Sequence, residues 1–146
     1  MSNYINNDRK STQKPKLLIT GGTGVLGSAL AEELDCLYDC IPLAKNSIPD
    51  NGARVDLTDK NESNSILNKV YPDVIIHAAA LTDVDSCEKN LKSAFQLNVQ
   101  ATRYIVDWIL KQNKSIRLVY ISTDSVYDDC ESGCGEGAAL PGNVYS

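Results

Sequence analysis

Leu17-Leu18-Ile19-Thr20-Gly21-Gly22-Thr23-Gly24-Val25-Leu26-Gly27 decides the fold class of this 146-residue chain. An apolar run feeds a turn with glycines at 21, 24 and 27, and an amphipathic stretch follows. Strand, glycine turn and helix in that order are the setting in which a backbone holds a dinucleotide diphosphate. Gly21 permits the tight turn, Gly24 keeps side chains out of the diphosphate position, and Gly27 lets the helix pack close to the strand. Unpaired amides and the positive dipole end at the helix start favour an anion there. The spacing is G-x-x-G-x-x-G rather than G-x-G-x-x-G. Glycine turns also arise for purely structural reasons, so on these residues alone both readings stand.

Working outward, strand-like and helical runs alternate. Lys16–Thr20 predicts a buried strand, and Gly24–Leu34 a helix with Val25, Leu26, Ala29, Leu30 and Leu34 at helical spacing. Cys40–Ala44 predicts a second strand, residues 46–52 a polar loop marked by Pro and Gly, and Arg54–Leu57 a third strand. Thr58 or Asp59 caps a helix running to about Val70, with Ile66, Leu67 and Val70 as its stripe. Pro72-Asp73 breaks the chain before Val74–His77, a continuous apolar strand of the kind found in parallel sheets covered on both faces. One long helix is predicted over Ser93–Gln112, its stripe formed by Ala94, Leu97, Ala101, Tyr104, Ile105 and Trp108. Arg117–Ser122 is the last strand, and Asp128–Ser146 reads as loop. The alternation predicts an α/β fold with a doubly wound parallel sheet.

The length suits one domain over residues 15–146, preceded by a polar tail at 1–14 that carries no secretory signal and is expected to be disordered. A formal net charge of −5 argues against a nucleic-acid partner or an acidic membrane surface. The longest apolar run, Val74 to Leu81, is far short of the ~20 residues of a membrane span. Five cysteines at irregular spacing point to reduced thiols and a cytoplasmic location. Cys130 and Cys134 lack a second ligand pair, and His77 is the only histidine, so no metal is expected.

In such a sheet, ligands bind beyond the carboxyl ends of the strands. Those ends carry the glycine turn, Ala44-Lys45, Asp56, Ala78-Ala79-Ala80 and Ser122-Thr123-Asp124. An acidic residue about 20 positions past the glycines would hold the ribose hydroxyls of NAD(H). Lys45 stands there instead and suits a ribose 2′-phosphate, which favours NADP(H); the alternative is a solvated loop charge. Asp56 and Leu57 border an adenine, or Asp56 caps the next helix. Ala78-Ala79-Ala80 lets a flat ligand lie close to backbone, or serves tight helix packing. His77, on an apolar strand with no acidic partner in sequence, reads as a satisfied buried histidine rather than a catalytic one.

Taken together, T-G-G-T-G-V-L-G at 20–27, D-L-T-D at 56–59, Y-P-D-V-I-I-H-A-A-A-L-T-D-V-D-S-C-E at 71–88, Asn98-Val99, I-S-T-D-S-V-Y at 121–127 and P-G-N-V-Y-S at 141–146 resemble the extended short-chain dehydrogenase/reductases. Within that superfamily they look most like dTDP-4-dehydrorhamnose reductases. The resemblance implies a Rossmann-like fold and NADPH-dependent reduction of a nucleotide-linked 4-keto sugar. It places Gly21, Thr23, Gly24, Val25, Leu26, Gly27, Lys45, Asp56, Leu57, Ala78, Ala79 and Ala80 on the cofactor, with Asn98 beside them in a more structural role. Thr123 matches the hydroxyl that hydrogen-bonds the sugar ketone, Tyr145 the proton donor, and Asp124 a polar group at the same centre. Thr82, Val84 and Asp85 join Thr123 and Asp124 on the substrate side.

The lysine that assists the family's tyrosine, four residues on, falls beyond Ser146, as does the family's substrate-binding half. The chain is therefore expected to be an N-terminal portion, truncated in its sheet and inactive alone. Two alternatives share the pattern. One is a nucleotide-sugar epimerase or dehydratase, against which S-T-D-S-V-Y speaks. The other is a binding subunit like the regulatory beta subunit of methionine adenosyltransferase, with a partner enzyme or a homodimer as its working form.

Overall fold

A parallel sheet with strand order β3-β2-β1-β4-β5 organises the computed structural model, which describes residues 13–127, 135, 137 and 141–146. The strands are Lys16–Thr20 (β1), Asp39–Ala44 (β2), Ala53–Arg54 (β3), Val74–His77 (β4) and Arg117–Tyr120 (β5). β1 lies at the centre, its Thr20 in register with Leu43 of β2 on one side and His77 of β4 on the other. The chain winds outward from β1 to β3, then crosses back to place β4 and β5 on the opposite flank. The crossing opens a crevice between the carboxyl ends of β1 and β4, the switch point of a doubly wound sheet.

Alternate residues of the strands serve opposite faces. Leu17, Ile19, Cys40 and Ile76 bury one face against Leu30, Ala31 and Leu34 of the helix Val25–Leu34 (α1). Leu18, Leu43 and Ile75 bury the other against Ile66 and Leu67 of Lys60–Val70 (α2) and Ala101, Ile105 and Trp108 of Ala101–Ile109 (α5). Trp108 Nε1 donates to Asn68 Oδ1 at 2.7 Å, tying α5 to α2. On the far flank, Val119 and Tyr120 of β5 and the following Ile121 are exposed.

Four details depart from the sequence reading. The buried face of α1 is Gly27, Leu30, Ala31 and Leu34; Val25, Leu26 and Ala29 are exposed, Val25 at 93%. The third strand is two residues long. Val55 N still donates to Ala44 O, and then Asp56 Oδ1 accepts from Thr58 N and Thr58 Oγ1, an Asx turn that bends residues 55–57 off the sheet. Asp59, one of the two expected caps, caps α2 with its carboxylate accepting from Asn61 N and Glu62 N, which leaves Asp56 without the alternative capping role. The long helix of 93–112 is instead Leu91–Ala94 (α4), a π-helical stretch Phe95–Gln100, and α5. The π turn is marked by Ala101 N donating five residues back to Gln96 O. A further helix, Val84–Lys89 (α3), follows Asp83, whose carboxylate accepts from Ser86 N. Residues 1–12, Cys130, Cys134 and most of residues 128–140 lie outside the described residues, as do the expectations for them. Among the described residues no helix is long and apolar enough to cross a membrane.

A Cβ on Gly27 would stand 2.2 Å from Gly21 O and 2.8 Å from Gly21 C, both backbone atoms that cannot move aside. Gly27→Ala is therefore expected to destabilise the fold by more than about 3 kcal/mol, through forced separation of α1 from β1. Urea denaturation measures it, and a near-unchanged midpoint would mean that α1 shifts freely.

Candidate functional site

The crevice at the switch point is a cleft of about 470 Å³. Its floor is the glycine turn. Gly21 has φ +71°, and a Cβ there would meet the Ala78 carbonyl group and Ala79 N at 3.0 Å, so the turn lies directly against the chain leaving β4. Thr23, Gly24, Val25, Leu26 and Gly27 form one wall. Ala78, Ala79, Ala80 and Thr82 form the opposite one, and Lys45, Asp56 and Leu57 close the far end.

The start of α1 differs from the other helix starts. Asp59, Asp83 and Asn90 each cap their helices with a side-chain oxygen, at α2, α3 and α4. Gly24, the N-cap of α1, has no side chain to do so. Amides of the first turn of a helix have no partner within it. Here they meet the cleft without a resident acceptor, which is the electrostatic setting for a bound anion.

The Ala78–Leu81 ledge is pinned at both ends. Thr20 Oγ1 accepts from Ala78 N and Ala79 N, each at 3.1 Å. Asn98, in the π-helical stretch, accepts from Leu81 N with Oδ1 at 2.8 Å and donates from Nδ2 to Leu81 O at 3.1 Å. His77 joins the two anchors: Nδ1 lies 2.6 Å from Thr20 Oγ1 and Nε2 lies 3.0 Å from Thr102 Oγ1, which donates to Asn98 O. The imidazole is 1% exposed, and its burial lowers its pKa from 6.5 to about 4. It is the satisfied buried histidine that the sequence suggests.

At the far end Lys45 Nζ pairs with Asp56 Oδ2 at 2.9 Å, with the lysine side chain 58% exposed. An exposed pair of this kind is weak and exchangeable. Burial pushes the Asp56 carboxyl up, but hydrogen bonds from Thr58 and Lys45 outweigh it and hold the group below the ordinary carboxylate range.

The remaining candidates stand elsewhere. Asn98 and Tyr145 line a second cleft of about 360 Å³ with Phe95, Val99 and Tyr120, outside the first. Thr123 lies just past β5, capping the 3-10 turn Asp124–Val126 through Ser125 N. Val84 and Asp85 are exposed in the first turn of α3. Val144 N donates to Glu88 Oε1 at 2.8 Å, which brings the segment of Tyr145 to that helix. Ala44, at a ligand-bearing strand end, lines the first cleft as expected, and Leu43, Asn46, Val55 and Leu97 line it without a sequence signal of their own. Asn46 and Val55 adjoin chosen positions and were within reach; Leu97 arrives from a helix distant in sequence.

Comparisons with known proteins agree with this geometry. Residues 15–145 match the family described as RmlD substrate binding domain, and the chain belongs to that family. It is 36% identical over 120 residues to the dTDP-4-dehydrorhamnose reductase of Aggregatibacter actinomycetemcomitans, covering 81% of this chain and 38% of that one. Methionine adenosyltransferase 2 subunit beta of Danio rerio is 31% identical over 140 residues, 94% of this chain and 42% of that one. The crystal structure of dTDP-4-dehydrorhamnose reductase from Bacillus anthracis in complex with NADP superposes with a TM-score of 0.78 at 33% identity, covering 93% of this chain and 46% of that one. The chain thus spans less than half the length of these relatives.

Acid should expose the role of His77 in stability. Its folded pKa of about 4 lies below the unfolded 6.5, so the unfolded chain binds the extra proton between those values. The histidine's contribution is complete above pH 6.5, is lost as pH falls toward 4, and amounts to about 3 kcal/mol across that window. The expected result is a steeper loss of unfolding free energy from pH 6.5 to 4.5 in the native chain than in His77→Asn. Parallel curves would contradict it.

Proposed function

We propose that this chain is the nucleotide-binding portion of an NADPH-dependent reductase acting on nucleotide-linked 4-keto sugars. The observation that carries the proposal is the uncapped start of α1 facing the cleft across from the Ala78–Ala80 ledge. The NADP carried by the Bacillus anthracis relative supports the choice of ligand class.

The residues present fit such a cofactor. Gly24 leaves open the position of the diphosphate, whose charge the free amides of α1 would meet. The exposed Val25 and Leu26 offer apolar cover beside it. Lys45, released from Asp56, would take the 2′-phosphate, and Asp56 and Leu57 would flank the adenine. When bound, NADPH supplies the hydride. Thr123 would polarise the sugar carbonyl by donating its hydroxyl, and Tyr145 would deliver the proton that the new alkoxide requires. Asp124, with Thr82, Val84 and Asp85, would face the sugar. Tyr145 lies on the second cleft, so in this reading the substrate enters from the side of β5 and α4.

One observation favours a second reading. The similarity to the methionine adenosyltransferase subunit extends over 94% of the chain, further than that to the Aggregatibacter reductase. A chain that binds the cofactor and a synthetase partner without turning over a sugar would follow from it. A lysine four residues past Tyr145 in the longer protein supports the reductase.

Gly24→Val separates binding from folding. Gly24 has φ −76°, and a Cβ would touch only Gly21 O, at 3.2 Å. The variant should lose about 1–2 kcal/mol of stability through the poorer cap and the tight contact, yet stay folded and bind NADPH at least about tenfold more weakly by calorimetry, because the new side chain fills the diphosphate position. Undiminished titration would remove the cofactor from this cleft. Lys45→Ala should weaken NADPH by about tenfold and leave NADH unchanged. Equal effects on the two dinucleotides would return Lys45 to the role of a solvated charge.

A further inference from the structure

We propose that His77 is a positioning residue of the ligand cleft. By accepting the Thr20 hydroxyl proton it fixes that oxygen as the double acceptor that holds the Ala78 and Ala79 amides, and so sets the ledge on which the cofactor lies. The proposal rests on the cofactor reading for its consequence, but its geometry stands apart from any ligand.

The argument is a count of protons. A threonine hydroxyl has one hydrogen and two acceptor sites. Ala78 N and Ala79 N both donate to Thr20 Oγ1 and occupy its acceptor sites. Its hydrogen must then go to its remaining neighbour, His77 Nδ1, at 2.6 Å. Nδ1 therefore carries no proton, and in the neutral imidazole Nε2 must carry one. That proton goes to Thr102 Oγ1 at 3.0 Å, and the Thr102 hydroxyl passes its own to Asn98 O at 3.1 Å. The chain of donors runs one way, from β1 through β4 into the helix, and every member is satisfied.

A proton on Nδ1 would face the Thr20 hydrogen and force the hydroxyl to turn, surrendering one of the two amides. Among the described residues, Thr20 from β1 and Thr102 from α5 hydrogen-bond the ring, and the Tyr120 ring of β5 stacks near it with its centroid 5.6 Å away. Tyr120 is the one titratable group among them, and burial lowers the His77 pKa to about 4, so the ring is neutral at physiological pH. An apolar residue at position 77 would fill the space but leave the Thr20 hydrogen unspent in a buried site.

Three measurements on the described chain decide the matter. The nitrogen-15 spectrum of the native imidazole should show Nε2 protonated and Nδ1 bare; a proton on Nδ1 overturns the proposal even if every variant fails to fold. Thr20→Val and His77→Phe should speed amide exchange at Ala78 and Ala79 and weaken NADPH about tenfold. Thr20→Ser, which keeps the hydroxyl, and His77→Asn, whose Oδ1 replaces Nδ1 as the acceptor, should stay within about threefold of native affinity. Native exchange at both alanines in folded Thr20→Val, or equal losses in the conservative and non-conservative variants, would overturn it. If the native chain fails to bind NADPH, the cofactor reading falls, while the imidazole spectrum and the alanine exchange still judge the wiring.

Discussion

The approach of α1 to the Gly21 carbonyl governs the rest of this molecule. With Gly27 seated where even a methyl group would be 2.2 Å from that oxygen, the helix has one rotation about its axis and one distance from β1. That rotation turns Leu30, Ala31 and Leu34 into the sheet and leaves Val25 and Leu26 to the cleft. It also aims the uncapped first turn at the crevice between β1 and β4. Packing and binding geometry are consequences of one backbone contact.

The opposite wall is built by different means. The glycine wall is shaped by the absence of side chains, whereas the alanine ledge is held by buried polar ones. Thr20, His77, Thr102 and Asn98 come from three secondary-structure elements and the π-helical stretch, and they meet at the carboxyl end of the sheet. Partly satisfied polar groups in such a place would cost more than an apolar core; fully satisfied ones select a single arrangement. A cleft with one wall fixed sterically and the other by directed hydrogen bonds is preorganised, so that a ligand loses less in ordering it.

Much of this was legible in the residues. The alternation of apolar runs and helical stripes identified the sheet, and β1 and β4 have the predicted ends because Gly21 and Pro72 punctuate them. The cleft residues Gly21, 23–27, 45, 56–57 and 78–80 followed from the rule that ligands sit at carboxyl strand ends. What escaped was set by tertiary or by local hydrogen-bond geometry. The Asp56 turn shortened β3, since its side chain competes with the ladder for the backbone. The π turn at 95–100 left no mark in the 3.6-residue stripe, because Ala94, Ala101, Ile105 and Trp108 are buried on either side of it. The wiring of His77 depends on Thr102, distant in sequence and brought near only by the docking of α5.

The far flank of the sheet has its own consequence. β5 pairs with β4 along one side, and Val119, Tyr120 and Ile121 offer 40%, 54% and 39% of their surface to solvent. Tyr120 spends that exposure on the second cleft, beside Phe95, Asn98, Val99 and Tyr145. The flank of β5 thus belongs to the same surface as the segment of Tyr145, which Glu88 holds through Val144 N.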